Sequence, residues 1–170
     1  MKRKRSPNDV DTAPSRPARG AEAAPGEGAR GAEGHIGYLL RQAQAAFRQA
    51  GDAALAVLGL TLPQFTLLTL TGAYGPVSGA ALARLSFQTP QTVDAVLKNL
   101  ARAGLVVRTP DPAHGRILNA ALTPAGEARL AAAKRRVNVL ERRLTVGLGA
   151  DAECTVRSWL ARVARDLLPR

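Results

Sequence analysis

The stretch Ser86–Val107, read SFQTPQTVDAVLKNLARAGLVV, predicts a short helix with one apolar and one polar face. Thr89-Pro90 is a typical helix start, because Thr is a preferred N-cap and Pro fits the first helical position, where its missing N–H costs nothing. Gly104 can adopt the left-handed conformation that ends a helix. Between them runs an apolar stripe at helical spacing, formed by Val93, Val96, Leu97 and Leu100.

The opposite face of this helix carries side chains that can contact DNA. Gln91 and Thr92 project from the first turn, where Gln can make two hydrogen bonds to an adenine edge and Thr can contact a phosphate or a base. The helix N-terminus itself favours a phosphate. The outer face continues with Asp94, Ala95, Lys98 and Arg102. Taken alone, the stretch also suits an ordinary amphipathic surface helix.

The flanking segments favour the DNA-binding interpretation. Pro76-Val77-Ser78 begins another short helix, with Ser78 as its N-cap. Downstream, Leu105–Arg108 and Ile117–Leu122 are predicted strands, separated by the turn-rich loop Thr109–Arg116. The order helix, turn, helix, strand, loop, strand predicts a winged helix-turn-helix.

With this order in place, the chain resembles the MarR family of bacterial transcriptional regulators over roughly residues 35–168. The most specific segments are SFQTPQTV, ARAGLV and DPAHGRILNAALTPAG. Many members have an Asp-Arg pair and a second Arg in the wing, where this chain has His114-Gly115-Arg116, a form similar to that of some actinobacterial members. The resemblance and the helix pattern together give the predicted DNA-binding set: Ser78, Gln88, Thr89, Gln91, Thr92, Ala95, Lys98, Arg102, Arg108, His114 and Arg116.

Helices at both ends of the chain exceed what a winged helix needs. One precedes the winged unit and two follow Thr123-Pro124, and each has an apolar stripe that must be buried. The simplest partner is a second copy of the chain in a twofold dimer, as the resemblance also implies. The fold class is therefore mainly α, an α+β winged helix. The winged helix-turn-helix spans about residues 61–122, and dimerisation helices at about 35–58 and 123–168 complete a domain of residues 35–170.

Charge and composition restrict the class of partner. The 170 residues carry a net charge of +11. Residues 1–34 hold seven basic and five acidic residues, so the rest, with 17 and 8, carries +9. A body this basic favours nucleic acid first and an anionic membrane surface second. Residues 1–34 are rich in Pro, Gly, Ala and Arg and are expected to be a disordered basic tail.

Several other classes are poorly supported. No apolar run approaches the roughly 20 residues that span a bilayer, and no signal peptide is evident. A single cysteine, Cys154, agrees with a reducing cytoplasm. His35 and His114 lack partners at metal-ligand spacing, and Asp111 and His114 suit a local turn hydrogen bond. We therefore expect no membrane contact, no catalytic residues, no metal and no cofactor.

The resemblance also implies an effector. Family members often hold small aromatic or phenolic molecules between the dimer helices and the winged unit, and the candidate lining residues here are Tyr38, Phe47, Phe65 and Tyr74. Aromatic residues at helical spacing are more often plain core, so both interpretations stay open.

The sequence thus predicts a cytoplasmic, homodimeric, ligand-responsive regulator that binds a pseudo-palindromic, inverted-repeat operator in double-stranded DNA, most simply as a repressor. Two alternatives remain. One is a winged-helix module that binds proteins, which the basic recognition face disfavours. The other is an architectural DNA-binding protein with little sequence preference.

Overall fold

The structure, a computed structural model, describes residues 24–167, except for the side chain of Ala29. The basic run Lys2–Arg5 and the rest of residues 1–23 lie outside the described residues. A short 3-10 helix, Gly28–Arg30, comes first. The α-helices of the described range are α1 (Ile36–Ala56), α2 (Leu62–Tyr74), α3 (Gly79–Ser86), α4 (Pro90–Arg102), α5 (Pro124–Leu144) and α6 (Ala150–Leu167). The strands are β1 (Val77–Ser78), β2 (Val106–Pro110) and β3 (Leu118–Leu122).

The chain divides into two compact units, the first ending at Ala43 and the second beginning at Gln44. In the first, Arg30 Nε donates to Gln42 Oε1 over 3.3 Å, and Gln42 Nε2 donates to the Arg30 carbonyl over 3.4 Å. Residues 24–34 therefore form turns and a 3-10 helix where the sequence predicted a disordered tail. The winged unit belongs to the second compact unit.

Helix starts in the second unit follow the local capping signals in the sequence. Thr61 and Gln64 form a capping box, in which each side chain bonds the backbone N–H of the other residue. Ser78 caps α3, Thr89 caps α4 and Thr123 caps α5, each by accepting from the backbone N–H three residues on. Helix ends agree less closely: α1 stops at Ala56 and α5 at Leu144. Leu148 therefore lies between α5 and α6.

The three strands form an antiparallel sheet in the order β1-β3-β2. Val77 pairs with Ala120 at one edge and Val106 pairs with Leu122 at the other. The two-residue β1 was not predicted from the sequence, and β2 begins one residue later and ends two residues later than expected. Together with α3 and α4, these strands form the winged helix-turn-helix.

The apolar stripe of α4 enters the core, as its spacing predicts. Val93, Leu97 and Leu100 are buried. They join side chains contributed by the neighbouring helices and by the sheet: Leu55, Leu67, Leu68, Leu82, Val106, Ala120, Leu130, Ala133 and Val137. Burial of this face fixes the opposite face of α4 toward solvent.

The first turn of α5 is attached to the turn between α4 and β2. The Thr123 backbone N–H donates to the Leu105 carbonyl over 3.1 Å, and the Thr123 hydroxyl donates to the Gly104 carbonyl over 2.6 Å. Gly126 is buried beside the same turn, and a Cβ added at Gly126 would overlap the Leu105 carbonyl oxygen. Only glycine permits this close approach, so the contact between α5 and the turn depends on the glycine at position 126.

Helix α6 presents an apolar face that the described residues leave largely exposed. None of its side chains is buried. Val156, Leu160 and Leu167, which share this face, are 41%, 43% and 78% exposed. An apolar face with this exposure is a candidate for burial against another surface.

Candidate nucleic-acid interface

The outward face of α4 is polar, basic and exposed. Gln91 has no polar partner among the described residues and extends from the first turn. The neighbouring Thr92 backbone N–H donates to Thr89 Oγ1 over 3.2 Å, and the two threonine hydroxyls lie 2.9 Å apart. The exposed residues of this face are Gln91, Thr92, Ala95, Lys98, Asn99 and Arg102. Their shared direction follows from the helical period of 3.6 residues.

Two predicted DNA-binding cations converge on one carboxylate. Asp94 Oδ2 lies 2.8 Å from Lys98 Nζ, and Asp94 Oδ1 lies 2.9 Å from an amino nitrogen of Arg108. Hydrogen bonds from Lys98 and then Arg108 hold the pKa of Asp94 below its usual value. The Arg108 side chain is only 21% exposed, whereas Lys98 is 66% exposed. Arg108 therefore joins β2 to α4, and Lys98 remains accessible to a phosphate.

The loop between β2 and β3 forms the wing and carries His114 and Arg116. Both residues are exposed, and the Arg116 guanidinium has no hydrogen-bond or ion-pair partner among the described residues. The local hydrogen bond expected between Asp111 and His114 is present, from the His114 backbone N–H to Asp111 Oδ1 over 2.9 Å. The wing thus offers one unpaired cation at its tip.

The remaining predicted contacts lie at the two ends of α3. The Ser78 hydroxyl accepts from the Ala81 N–H over 3.2 Å, so Ser78 acts as a helix cap. Gln88 is half-buried in the turn between α3 and α4, with Oε1 buried and unpaired among the described groups. Phe87 beside it has φ of 54°, in the left-handed region, and its side chain is 66% exposed.

The sequence analysis did not name Asn99 or Phe87, and it did not foresee the partner of Asp94. Asn99 lies on the exposed face of α4 and accepts a hydrogen bond from Arg102, and its helical spacing from Gln91, Ala95 and Arg102 could have revealed it. Phe87 lacks a sequence signal, because phenylalanine is an unusual residue at positive φ. The structural role of Asp94 depends on Arg108, which is 14 positions away and reaches it only in the folded chain.

A cavity of about 490 Å³ opens between α2, β3 and α5. The Thr71 hydroxyl in its wall is buried and has no hydrogen-bond partner among the described residues. Glu127 and Lys134, both exposed on α5, supply the charged part of the lining. Its other lining residues are Thr69, Gly72, Ala73, Gly75, Pro76, Ala121, Leu122, Leu130 and Ala131.

The four aromatic residues named as pocket candidates do not line this cavity. Phe47 and Phe65 are half-buried and pack against the core, and Tyr74 is 60% exposed. Tyr38 has the Arg41 guanidinium 5.3 Å from the centroid of its ring. Their assignment to an effector pocket remains a prediction.

The described part of the chain offers neither a metal cluster nor a membrane span. Across residues 24–167, no group of three or more His, Cys, Asp or Glu side chains is arranged to hold a metal ion. Cys154 is exposed and unpaired. The same residues contain no helix that is both long and apolar enough to cross a membrane.

Comparison with known proteins agrees with this geometry. The family model described as MarR family matches residues 58–117. The HTH-type transcriptional repressor Rv2887 of Mycobacterium tuberculosis is 36% identical over 131 residues, which cover 77% of this chain and 94% of the relative. The chain belongs to the MarR family. The family identification made from SFQTPQTV, ARAGLV and the wing segment is thereby confirmed.

Solved structures of this MarR relative share the fold. The M. tuberculosis Rv2887 complex with DNA has a TM-score of 0.63 and 34% identity, and the match covers 77% of this chain and 98% of that one. The Rv2887 complex with salicylic acid has a TM-score of 0.61 and 35% identity, with 78% and 98% covered. The mainly helical, winged-helix fold class predicted from the sequence is confirmed.

Proposed function

We propose that this MarR family protein is a sequence-specific regulator of transcription that binds double-stranded DNA and acts as a repressor. The observation that carries the proposal is the exposed, polar first turn of α4, held outward by the buried stripe of Val93, Leu97 and Leu100. The MarR relative Rv2887 supports it, because that protein is named a repressor and its structure includes a complex with DNA. We expect the protein in the cytoplasm, as a regulator rather than an enzyme.

The proposed docking inserts α4 into a major groove. Gln91 and Thr92 would face base edges, while Lys98 and Arg102 would approach phosphates along the same face. Arg116 at the wing tip would meet phosphates or the minor groove, where attraction is mostly electrostatic. Ser78, Gln88, Thr89, Ala95, Arg108 and His114 complete the proposed set, with Ser78, Thr89 and Arg108 acting mainly by holding the backbone in place.

The proposed binding unit is a homodimer. The uncovered apolar face of α6 supports it, because a second copy offers the same face for mutual burial. A twofold dimer presents two α4 helices to DNA and therefore favours an inverted repeat, with half-site centres roughly 10 base pairs apart.

The proposed effector site is the cavity between α2, β3 and α5. Its volume lies in the range of small-molecule sites, roughly 300–1,000 Å³. Lys134, exposed in the lining, can attract a carboxylate. A small aromatic or phenolic acid suits this lining, and Rv2887 has been solved with salicylic acid. An effector that binds better to a dimer with the wrong spacing of α4 helices would lower operator affinity.

Selection of bound fragments from random duplex DNA tests the proposal. A regulator of this kind should enrich an inverted repeat, and salicylic acid should release the enriched duplex from the protein. Tight binding without an enriched sequence would make the protein an architectural DNA-binding protein. If the protein does not bind DNA even at low salt, the alternative of a winged-helix module that binds proteins would be favoured.

A further inference from the structure

The wing loop is organised by one carboxylate, that of Asp111. Asp111 Oδ1 accepts from the backbone N–H groups of Ala113 and His114, each over 2.9 Å. Asp111 Oδ2 accepts from Asn119 Nδ2 over 2.8 Å. One half-buried side chain therefore bonds two residues that follow it in the loop and one residue of β3 across the loop.

These bonds enclose the turn that carries Arg116. The Asp111 N–H donates to the Ile117 carbonyl, and the Ile117 N–H donates to the His114 carbonyl, both over 2.7 Å. The second bond closes a four-residue turn with Gly115 and Arg116 at its central positions. Because His114 is bound at its N–H by Asp111 and at its carbonyl by Ile117, the start of this turn is fixed from both sides.

Among residues 111–117, Asp111 alone contributes a side-chain hydrogen bond to the loop. Pro110 and Pro112 lack a backbone N–H, and Gly115 adds conformational freedom. The hydrogen bonds from Asn119, Ala113 and His114 hold the pKa of Asp111 below its usual value, so the carboxylate is ionised at neutral pH. Asp111 is thus the carboxylate that organises this wing.

We propose that Asp111 is a positioning residue for DNA binding, which holds the turn that presents Arg116 to the duplex. The proposal rests on the proposed function, in which the wing contacts DNA. A loop already ordered before binding loses less conformational freedom when Arg116 engages, so affinity is higher than for a mobile loop.

The sign of one substitution separates this role from plain electrostatics. Asp111→Ala removes a negative charge, and charge alone would raise affinity for DNA. It also removes the acceptor of the hydrogen bonds from Ala113, His114 and Asn119. We expect Asp111→Ala to lower affinity for duplex DNA, by roughly threefold to tenfold, the size expected when a side chain must be ordered on binding. Glu141→Gln, an exposed residue of α5 with the same charge change, should leave affinity unchanged or slightly raised.

A conservative variant provides the rescue. In Asp111→Asn the side-chain oxygen still accepts from Ala113 and His114, and the amide nitrogen can donate to Asn119 Oδ1 once the Asn119 amide turns over. The three hydrogen bonds therefore persist without the charge, so affinity should equal or exceed that of the unmodified protein. A double-mutant cycle with Arg116→Ala then tests the route of action. If Asp111 acts through Arg116, Asp111→Ala should cost little further affinity in the Arg116→Ala background.

The measurement is the dissociation constant for a duplex, with thermal unfolding of every variant as a fold control. If Arg116→Ala leaves affinity unchanged, the wing contact of the proposed function fails. If Arg116→Ala weakens binding but Asp111→Ala does not, or a folded Asp111→Asn protein binds as weakly as Asp111→Ala, the positioning role of Asp111 is overturned. Full additivity of the two substitutions also contradicts it.

Discussion

Asp94 of the helix α4 and Arg108 of the strand β2 form an ion pair of 2.9 Å that joins α4 to the base of the wing. The Arg108 side chain is largely buried, so its stem packs while its charged end meets the carboxylate. The angle between α4 and the wing is therefore maintained by a charge pair as well as by the apolar core.

The first prediction concerns the acid dependence of this pair. The pKa of Asp94 is lowered in the folded chain, first by Lys98 and then by Arg108, so its stabilising contribution is present above about pH 4 and is lost as the pH falls through the lowered pKa. Asp94→Asn should lower the unfolding temperature slightly at pH 7, and the difference from the unmodified protein should vanish in strong acid. Thermal unfolding between pH 2 and 7 checks this, with Glu141→Gln as a control for charge. A difference that persists at the lowest pH contradicts it.

The second prediction separates base reading from anchoring. Gln91→Ala should weaken the operator more than random duplex, because a two-bond base contact contributes about 1–3 kcal/mol of discrimination in each half-site. Arg116→Ala should weaken both duplexes by a similar factor and reduce the slope of log affinity against log salt by about one for each lost phosphate contact. Titrations of both duplexes over a salt series provide the measurement, and Arg162→Ala on α6 controls for net charge. Equal losses on operator and random DNA for Gln91→Ala would exclude it from base reading.

The third prediction concerns the unpaired hydroxyl of Thr71. Thr71→Val replaces it by a methyl group of the same shape, and we expect the free energy of unfolding to rise by about 1 kcal/mol, because a buried polar group without a partner is costly. Thr69→Val is the matched control, since the Thr69 hydroxyl lines the same cavity but donates to the Phe65 carbonyl over 2.9 Å. A loss of stability in both variants would mean that the Thr71 hydroxyl has a partner in solution.

The fourth prediction tests the uncovered face of α6. Leu160→Asp adds a charge in the middle of the apolar face and should convert a dimer into monomers at micromolar concentration. Affinity for an inverted repeat should then fall to that for a half-site. Ser158→Asp adds the same charge on the other side of the helix and should leave the dimer intact. Sedimentation at several concentrations distinguishes the two, and a dimeric Leu160→Asp protein would require another interface.

Local signals account for the part of this fold that the sequence predicted. Thr61, Thr89 and Thr123 each cap a helix through a backbone group three residues away, so the sequence around them is sufficient. The strand β1 has only two residues, and it exists because Val77 and Ser78 meet Ala120 and Asn119, more than 40 positions later. No local pattern specifies such a pairing.

The candidate site divides in the same way. Gln91, Lys98 and Arg102 could be predicted, because their common face follows from helical spacing alone. Two features could not be predicted: the ion pair of Asp94 with Arg108 and the cavity beside Thr71. Each brings together residues from elements that are distant in sequence. Asp111 lies between these cases: its bonds to Ala113 and His114 are local, while its bond to Asn119 requires the folded hairpin.

The hydrogen bonds of Thr123 and the close approach of Gly126 couple the first turn of α5 to the turn after α4, so that the two move together. A helix of 21 residues is about 30 Å long, so a tilt of roughly 10° about its far end moves its first turn by roughly 5 Å. Thr123 donates hydrogen bonds to the carbonyls of Gly104 and Leu105 at that end of α5, so the turn between α4 and β2 moves together with the first turn of α5. Leu130, Ala133 and Val137 of α5 share the core with α4, so a tilt of α5 carries the whole winged unit with it.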